Sequence, residues 1–326
     1  MTKRNADHNA SFKPAWWLPG GHLQTVWQTL CRRPIKNLNL RRERFELPDG
    51  DFVDLDWVGV GSGPIVLVLH GLEGSICSPY AKGMLSAVLQ RGWRGVFMHF
   101  RGCSEEINRH PRSYHSGDTQ DVASVMSAIH ERESKTVLAA VGFSLGGNVL
   151  LKWLGESGEK SLLKAAVAIS VPFELHKTAD RVSQGFSRIY EINFLWSLRK
   201  KMRAKFDIQT SPIELPQLKK LKSLREFDEK VTAPLHGFCS ADDYYQKSSS
   251  RQFLNKIQVP TLLLQSKDDP LMTADVLPHE DELSSQVTLE LSEKGGHVGF
   301  VTGDLPWRAQ YWLEQRVPEF LTQYLS

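Results

Sequence analysis

Val137-Leu138-Ala139-Ala140-Val141-Gly142-Phe143-Ser144-Leu145-Gly146-Gly147-Asn148-Val149-Leu150 is the stretch on which the reading of this chain turns. Five apolar residues in a row suit a strand buried on both faces. A Gly-x-Ser-x-Gly sequence follows at 142–146, and then a run with helical spacing. With Gly and Ser each near 7% of residues, chance supplies roughly 0.1 such pentapeptides in a chain of this length. The flanking strand and helix supply what composition alone does not: the setting in which a serine stands at the apex of a sharp turn with its hydroxyl free. Small residues two before and two after Ser144 let strand and helix approach each other closely. Ser144 is the candidate nucleophile.

Outward from this point the pattern alternates. Apolar runs at 64–69, 94–100, 136–143 and 165–171 predict strands, and segments 80–90, 119–131 and 145–155 predict helices. Such alternation implies an α/β fold: a mostly parallel central sheet with helices on both faces. Before it, 39–47 and 51–58 alternate in strand fashion around the turn Pro48-Asp49-Gly50. Residues 1–36 read as an irregular, aromatic-rich N-terminal segment. The rhythm breaks over 174–256 and resumes with strands at 260–265 and 287–291, before a closing helix at 307–324 that contains Pro318. The division predicted is a core of 1–173 and 257–326, with 174–256 inserted as a helical cap.

A serine hydroxyl needs an adjacent base to become a nucleophile. In a strand–turn–helix setting of this kind the partners follow in the order Ser, Asp or Glu, His. Gly295-Gly296-His297 comes just after the 287–291 strand, which makes His297 the candidate base. Asp268 and Asp269 both follow the 260–265 strand. Asp269, immediately before Pro270, suits the register of the loop better, and Asp268 reads as a turn residue. Developing negative charge needs preorganised donors. The Leu145 N–H supplies one, and the loop His70-Gly71-Leu72-Glu73-Gly74 the other, through the Leu72 N–H. His70 precedes the serine, the wrong order for a base, and reads as a side chain that organises its loop.

Composition narrows the classes. The 326 residues are 41% hydrophobic and 24% charged, which suits a globular chain with a sizeable core. A net charge of +3 gives no reason to expect nucleic acid as a partner. Cys31, Cys77, Cys103 and Cys239 are scattered, which reads as free thiols in a reducing compartment rather than a disulfide frame or a metal site. The first 13 residues are polar and lack an apolar core of the export type, so the expected location is the cytoplasm. Gly59-Val-Gly-Ser-Gly63 lacks the following helix and lysine of a phosphate loop.

Several motifs together resemble one family. His70-Gly-Leu-Glu-Gly-Ser75, Phe100-Arg-Gly-Cys-Ser104, Tyr114-His-Ser-Gly117, Gly142-Phe-Ser-Leu-Gly-Gly-Asn148, Lys267-Asp-Asp-Pro270 and Gly295-Gly-His-Val-Gly-Phe300 are similar to the YheT-type branch of the α/β-hydrolases, as is Pro19-Gly-Gly-His-Leu-Gln-Thr25. The likeness spans 16–325, with Phe143 where tyrosine can occur. It implies a serine carboxylesterase acting on short- or medium-chain acyl esters, acetyl esters included, or on lipids, with Ser144, Asp269 and His297 as its triad. The chemistry requires no cofactor and no metal, and no obligate protein partner is implied. Acyl transfer with the same triad, and a non-catalytic lipid-binding role, are the rival functions.

Other features point less sharply. Phe100 to Ser104 is expected on the pocket rim, with Cys103 as a small packed residue. Trp16, Trp17, His22 and Gln24 either pack over the core or touch substrate, and packing is the simpler reading. Between 199 and 225 nine basic residues face two acidic ones, a charge of +7 against −4 for the rest of the chain. Leu195, Leu198, Met202 and Phe206 fall on one helical face there. That stripe either closes an acyl pocket or meets an anionic membrane surface alongside the basic residues.

Overall fold

The computed structural model describes residues 12–35 and 38–325. A helix α1 (Gly21–Cys31) comes first, then β1 (Arg41–Glu46), β2 (Phe52–Val58), β3 (Ile65–Leu69), α2 (Ala81–Gln90), β4 (Arg94–Met98), α3 (Gln120–Arg132), β5 (Leu138–Phe143), α4 (Leu145–Ser157) and β6 (Ala165–Ile169). Five helices separate β6 from the next strand: α5 (Leu175–Val182), α6 (Arg188–Lys205), α7 (Leu224–Phe227), α8 (Ala233–His236) and α9 (Ala241–Ser248). The chain closes with β7 (Thr261–Ser266), β8 (Val287–Ser292), the short pair β9 (Val301–Thr302) and β10 (Gln310–Tyr311), and α10 (Leu313–Leu325).

The main sheet has eight strands in the order β1-β2-β4-β3-β5-β6-β7-β8. Only the β1–β2 and β2–β4 pairs are antiparallel. The continuous apolar runs have a direct cause. Ile65, Leu67 and Leu69 enter one core layer while Val66 and Val68 enter the other, and Leu138 and Ala140 part from Ala139, Val141 and Phe143 in the same way. Side chains still alternate, but both faces are dry, so every position is apolar. Because β4 and β5 flank β3 on opposite sides, the loops after β3 and β5 diverge at the top of the sheet and leave a crevice between them.

Three expectations need correction. Residues 21–31 are helical, within the segment read as irregular. The final helix begins at Leu313 rather than 307, because a 3-10 turn (Pro306–Arg308) and the β10 strand precede it. The stripe Leu195, Leu198, Met202 and Phe206 is packed into a separate small core with Leu215, Leu218 and Phe227, so it is not available to a membrane. The charges beside it also divide. Lys201 reaches inward to Glu73, 2.6 Å away, and Lys205 to Asn108, while Lys200 and Arg203 stay exposed.

Candidate active site

The turn after β5 puts Ser144 at φ +52° and ψ −119°, a backbone conformation that strains any L-residue with a side chain. The strain persists because strand and helix touch around it. A β-carbon on Gly142 would lie 2.5 Å from the Gly146 carbonyl oxygen, and one on Gly146 would lie 2.5 Å from that of His70. Both positions therefore exclude side chains. Asn148, one turn into α4, is fully buried and accepts from the Ser250 N–H while donating to the carbonyls of Ser116 and Ser248. These bonds tie the elbow helix to the segment that returns from the inserted helices.

His297 lies after β8 and reaches back over the sheet. Its Nε2 is 2.9 Å from Ser144 Oγ and its Nδ1 2.8 Å from Asp269 Oδ2. With the proton on Nδ1, the ring donates to Asp269 and accepts from the serine hydroxyl. Asp269 is buried, and its second oxygen accepts from the Leu271 N–H at 2.8 Å. Asp268 points elsewhere and accepts from the Gly296 N–H at 2.8 Å. The two aspartates thus divide the work: one meets the imidazole and the other shapes the loop that carries it.

Two tyrosines pin the loop after β3. The Gly71 N–H donates to Tyr80 Oη at 2.9 Å, and the Glu73 N–H to Tyr114 Oη at 2.8 Å. The Leu72 N–H between them has no protein acceptor among the described residues. Leu145 is the first residue of α4, where the N–H lacks an intrahelical acceptor. Leu72, Leu145 and Ser144 line one cavity together. His70 is fully buried, with Nδ1 2.7 Å from the Gly71 carbonyl and Nε2 accepting from the Phe100 N–H at 3.1 Å. Burial pushes its pKa down to about 3, so it stays neutral and holds the loop.

Ser144 and His297 stand between two cavities. The first, of about 120 Å³, is mostly apolar and takes Leu175, Phe194, Met202 and Phe227 from the inserted helices and Met272 from the core. The second, of about 240 Å³, is lined by Thr25, Gln28, Thr29, Glu73 and Tyr80. Phe194 borders both.

The sequence reading missed what α1 does. Gln24 donates to the Val301 carbonyl at 3.1 Å and accepts from the Val301 N–H at 2.7 Å. Gln28 donates to the carbonyls of Val298 and Gly299, and Thr25 Oγ1 accepts from the His297 N–H at 2.8 Å. A β-carbon at Gly21 would overlap the Asp268 carbonyl, so the helix seats against the loops of both triad partners. The signal was present as amides spaced four apart behind a glycine pair. Thr25→Val keeps the shape and removes the acceptor for the His297 N–H. It is expected to lower kcat about tenfold with little change in KM, the loss of about one hydrogen bond's worth of positioning. Thr25→Ser should restore most of the activity. Steady-state kinetics of the two variants check this, and an unchanged kcat in Thr25→Val would remove Thr25 from the positioning of His297.

The other candidates fall outside the cavities. Arg101 is buried beneath the hairpin, bonded to Asp121, Asp51 and Asp49, instead of lying on a pocket rim. Cys103 is packed, and burial raises its thiol to about 11. Trp17 packs edge-on against Trp27, and Trp16 is exposed.

The comparisons with known proteins identify the fold and the family. The sequence model of the alpha/beta hydrolase fold matches residues 64–304. The Escherichia coli (strain K12) protein named "Putative esterase YheT" is 44% identical over 324 residues, covering 98% of this chain and 95% of its own. Phospholipase ABHD3 of Mus musculus is 31% identical, covering 88% of this chain and 75% of its own. In fold, the chain is similar to the Pyrococcus furiosus esterase Pf2001, with a TM-score of 0.61 at 18% identity over 90% of this chain and 97% of that one. The chain belongs to the α/β-hydrolase family, in its YheT-type branch.

Proposed function

We propose that this protein hydrolyses carboxylic esters with short- to medium-chain acyl groups, or lipid esters, through an acyl-enzyme on Ser144. The observation that supports this most is the Ser144–His297–Asp269 chain of hydrogen bonds at 2.9 and 2.8 Å, set between an apolar cavity and a more polar one. The acyl chain occupies the apolar cavity under the inserted helices, and the leaving alcohol occupies the second. His297 takes the hydroxyl proton as Ser144 Oγ attacks the carbonyl carbon. The N–H groups of Leu72 and Leu145 bind the oxyanion, and Asp269 stabilises the imidazolium. His297 then gives its proton to the departing alcohol. In the second half-reaction water attacks the acyl-enzyme, with His297 again as base, and Ser144 is regenerated.

In this reading residues 174–256 are the cap that closes the acyl cavity over the core. The printed names of the relatives, an esterase and a phospholipase, are in keeping with an ester substrate. The four thiols are free, which suits a reducing compartment, and the cytoplasm is the location proposed. No helix among the described residues is long and apolar enough to cross a membrane.

The test is turnover of a p-nitrophenyl ester series from acetate upward. The expected result is that kcat/KM rises with the first added methylenes and falls once the chain outgrows the cavity. Adding an acceptor alcohol distinguishes hydrolysis, where free acid is the main product, from transfer, where a new ester accumulates. No turnover of any member would overturn the proposal.

A further inference from the structure

Helix α6 has two apolar faces, and only one is buried. Leu195 and Met202 point into the small core of the inserted segment. About 100° further around the helix, Ile189, Ile192 and Trp196 are 54, 59 and 61% exposed, and Phe186 just before the helix is 61% exposed. At 100° per residue the three helical positions fall within one 60° arc, so they form a single surface stripe. Large apolar side chains gathered in this way mark a contact surface and not scattered exposure.

The charges around the stripe select its occupant. Arg188, Lys200 and Arg203 are exposed along the same helix. Lys200 Nζ sits 5.3 Å from the centre of the Trp196 ring. The helix contains one acid, Glu191, which is buried and accepts from Ser183 Oγ and the Leu224 N–H. The outer face is therefore apolar and cationic with no free carboxylate on it, the pattern of a helix lying in the headgroup region of an anionic bilayer.

The stripe is mounted on the active site. Phe194, on the side of α6 turned toward the core, borders both cavities beside Ser144 and His297. Ser187 Oγ donates to the Pro270 carbonyl, next to Asp269. Lys201 bonds Glu73 in the loop that carries the Leu72 N–H. The rings of Phe186 and Tyr190 pack on His22 of α1, with centroids 4.8 and 5.8 Å away.

We propose that the outer face of α6, through Phe186, Ile189, Ile192 and Trp196 flanked by Arg188, Lys200 and Arg203, docks the protein on an anionic lipid surface with its catalytic crevice beside the membrane. This face is distinct from the stripe that the sequence pattern singles out and lies about 100° around the helix from it. It does not depend on the hydrolytic reading, since binding is read without turnover.

The test is flotation with vesicles of phosphatidylcholine alone and with 30% phosphatidylglycerol, at low and high salt. The wild-type chain and Ser144→Ala should both float with the anionic vesicles at low salt, and binding should fall at least tenfold at high salt as the basic residues are screened. Ile189→Ser/Ile192→Ser/Trp196→Ser and Lys200→Glu/Arg203→Glu should each lose at least tenfold in partitioning. A far-UV circular dichroism spectrum and a thermal midpoint matching wild type certify that a variant is folded. Should the serine triple variant fail that check, Trp196→Ser alone is scored in its place. Failure of the wild-type chain to float, or equal flotation of the variants, would overturn the proposal. So would a concentration-dependent dimer that the serine variant abolishes, because the stripe would then belong to a second copy of the chain.

Discussion

Ser144→Ala is expected to lower kcat/KM for p-nitrophenyl esters by a factor on the order of 10⁵–10⁶, with the fold and thermal stability close to wild type. The size follows from the arrangement. His297 Nε2 has one reaction partner, Ser144 Oγ at 2.9 Å, and Leu72 and Leu145, whose N–H groups are the proposed oxyanion donors, line the same cavity as that hydroxyl. Without it, no covalent route exists, and only binding and oxyanion stabilisation act on a water attack. Alanine at 144 inherits the backbone at φ +52° and gives up only the hydroxyl, so stability should move little. A residual rate near one per cent of wild type would mean that another group supplies the nucleophile.

The second large effect separates two adjacent carboxylates. Asp269→Asn should lower kcat by about 10³–10⁴, because an amide that donates to Nδ1 fixes the proton on Nε2, where it cannot accept from Ser144. Asp268→Asn should act differently. Asp268 Oδ1 accepts from the Gly296 N–H at 2.8 Å, and the asparagine carbonyl can still do so. The expected loss is within about tenfold, because the bond survives as a neutral one. Steady-state kinetics of the two variants check this: Asp269→Asn should lose nearly all of kcat, and Asp268→Asn should keep most of it. If Asp268→Asn is the more damaging variant, the loop carries a different division of labour.

The parts that could be read from the sequence share a physical cause. Strands β3, β5 and β7 are dry on both sides, so their apolar runs are unbroken, and the elbow needs small residues at fixed distances from Ser144. What could not be read also has causes. Helix α1 buries Gly21, Gln24 and Gln28, so its inner face is polar. It binds backbone groups of the 298–301 loop instead of packing aliphatic side chains, and hydrophobic periodicity is blind to such a helix. Helix α6 is apolar on two sides, and periodicity finds both without saying which is covered. Only the partners Leu215, Leu218 and Phe227 decide it. Arg101 looked like a pocket residue because its acceptors, Asp49, Asp51 and Asp121, lie 20 to 52 positions away in the chain. Asp269 and His297 could be expected beside Ser144 because each lies in the loop at a strand end, three residues after β7 and five after β8.

The most direct test of the account is the site of covalent modification. The wild-type chain is treated with a fluorophosphonate, digested, and its peptides are analysed by mass spectrometry, alongside Ser144→Ala and Asp269→Asn. The account predicts one adduct per chain, on Ser144, formed in step with loss of esterase activity, much slower in Asp269→Asn and absent from Ser144→Ala. An adduct on any other residue that tracks the loss of activity, or labelling that persists in Ser144→Ala, would contradict it.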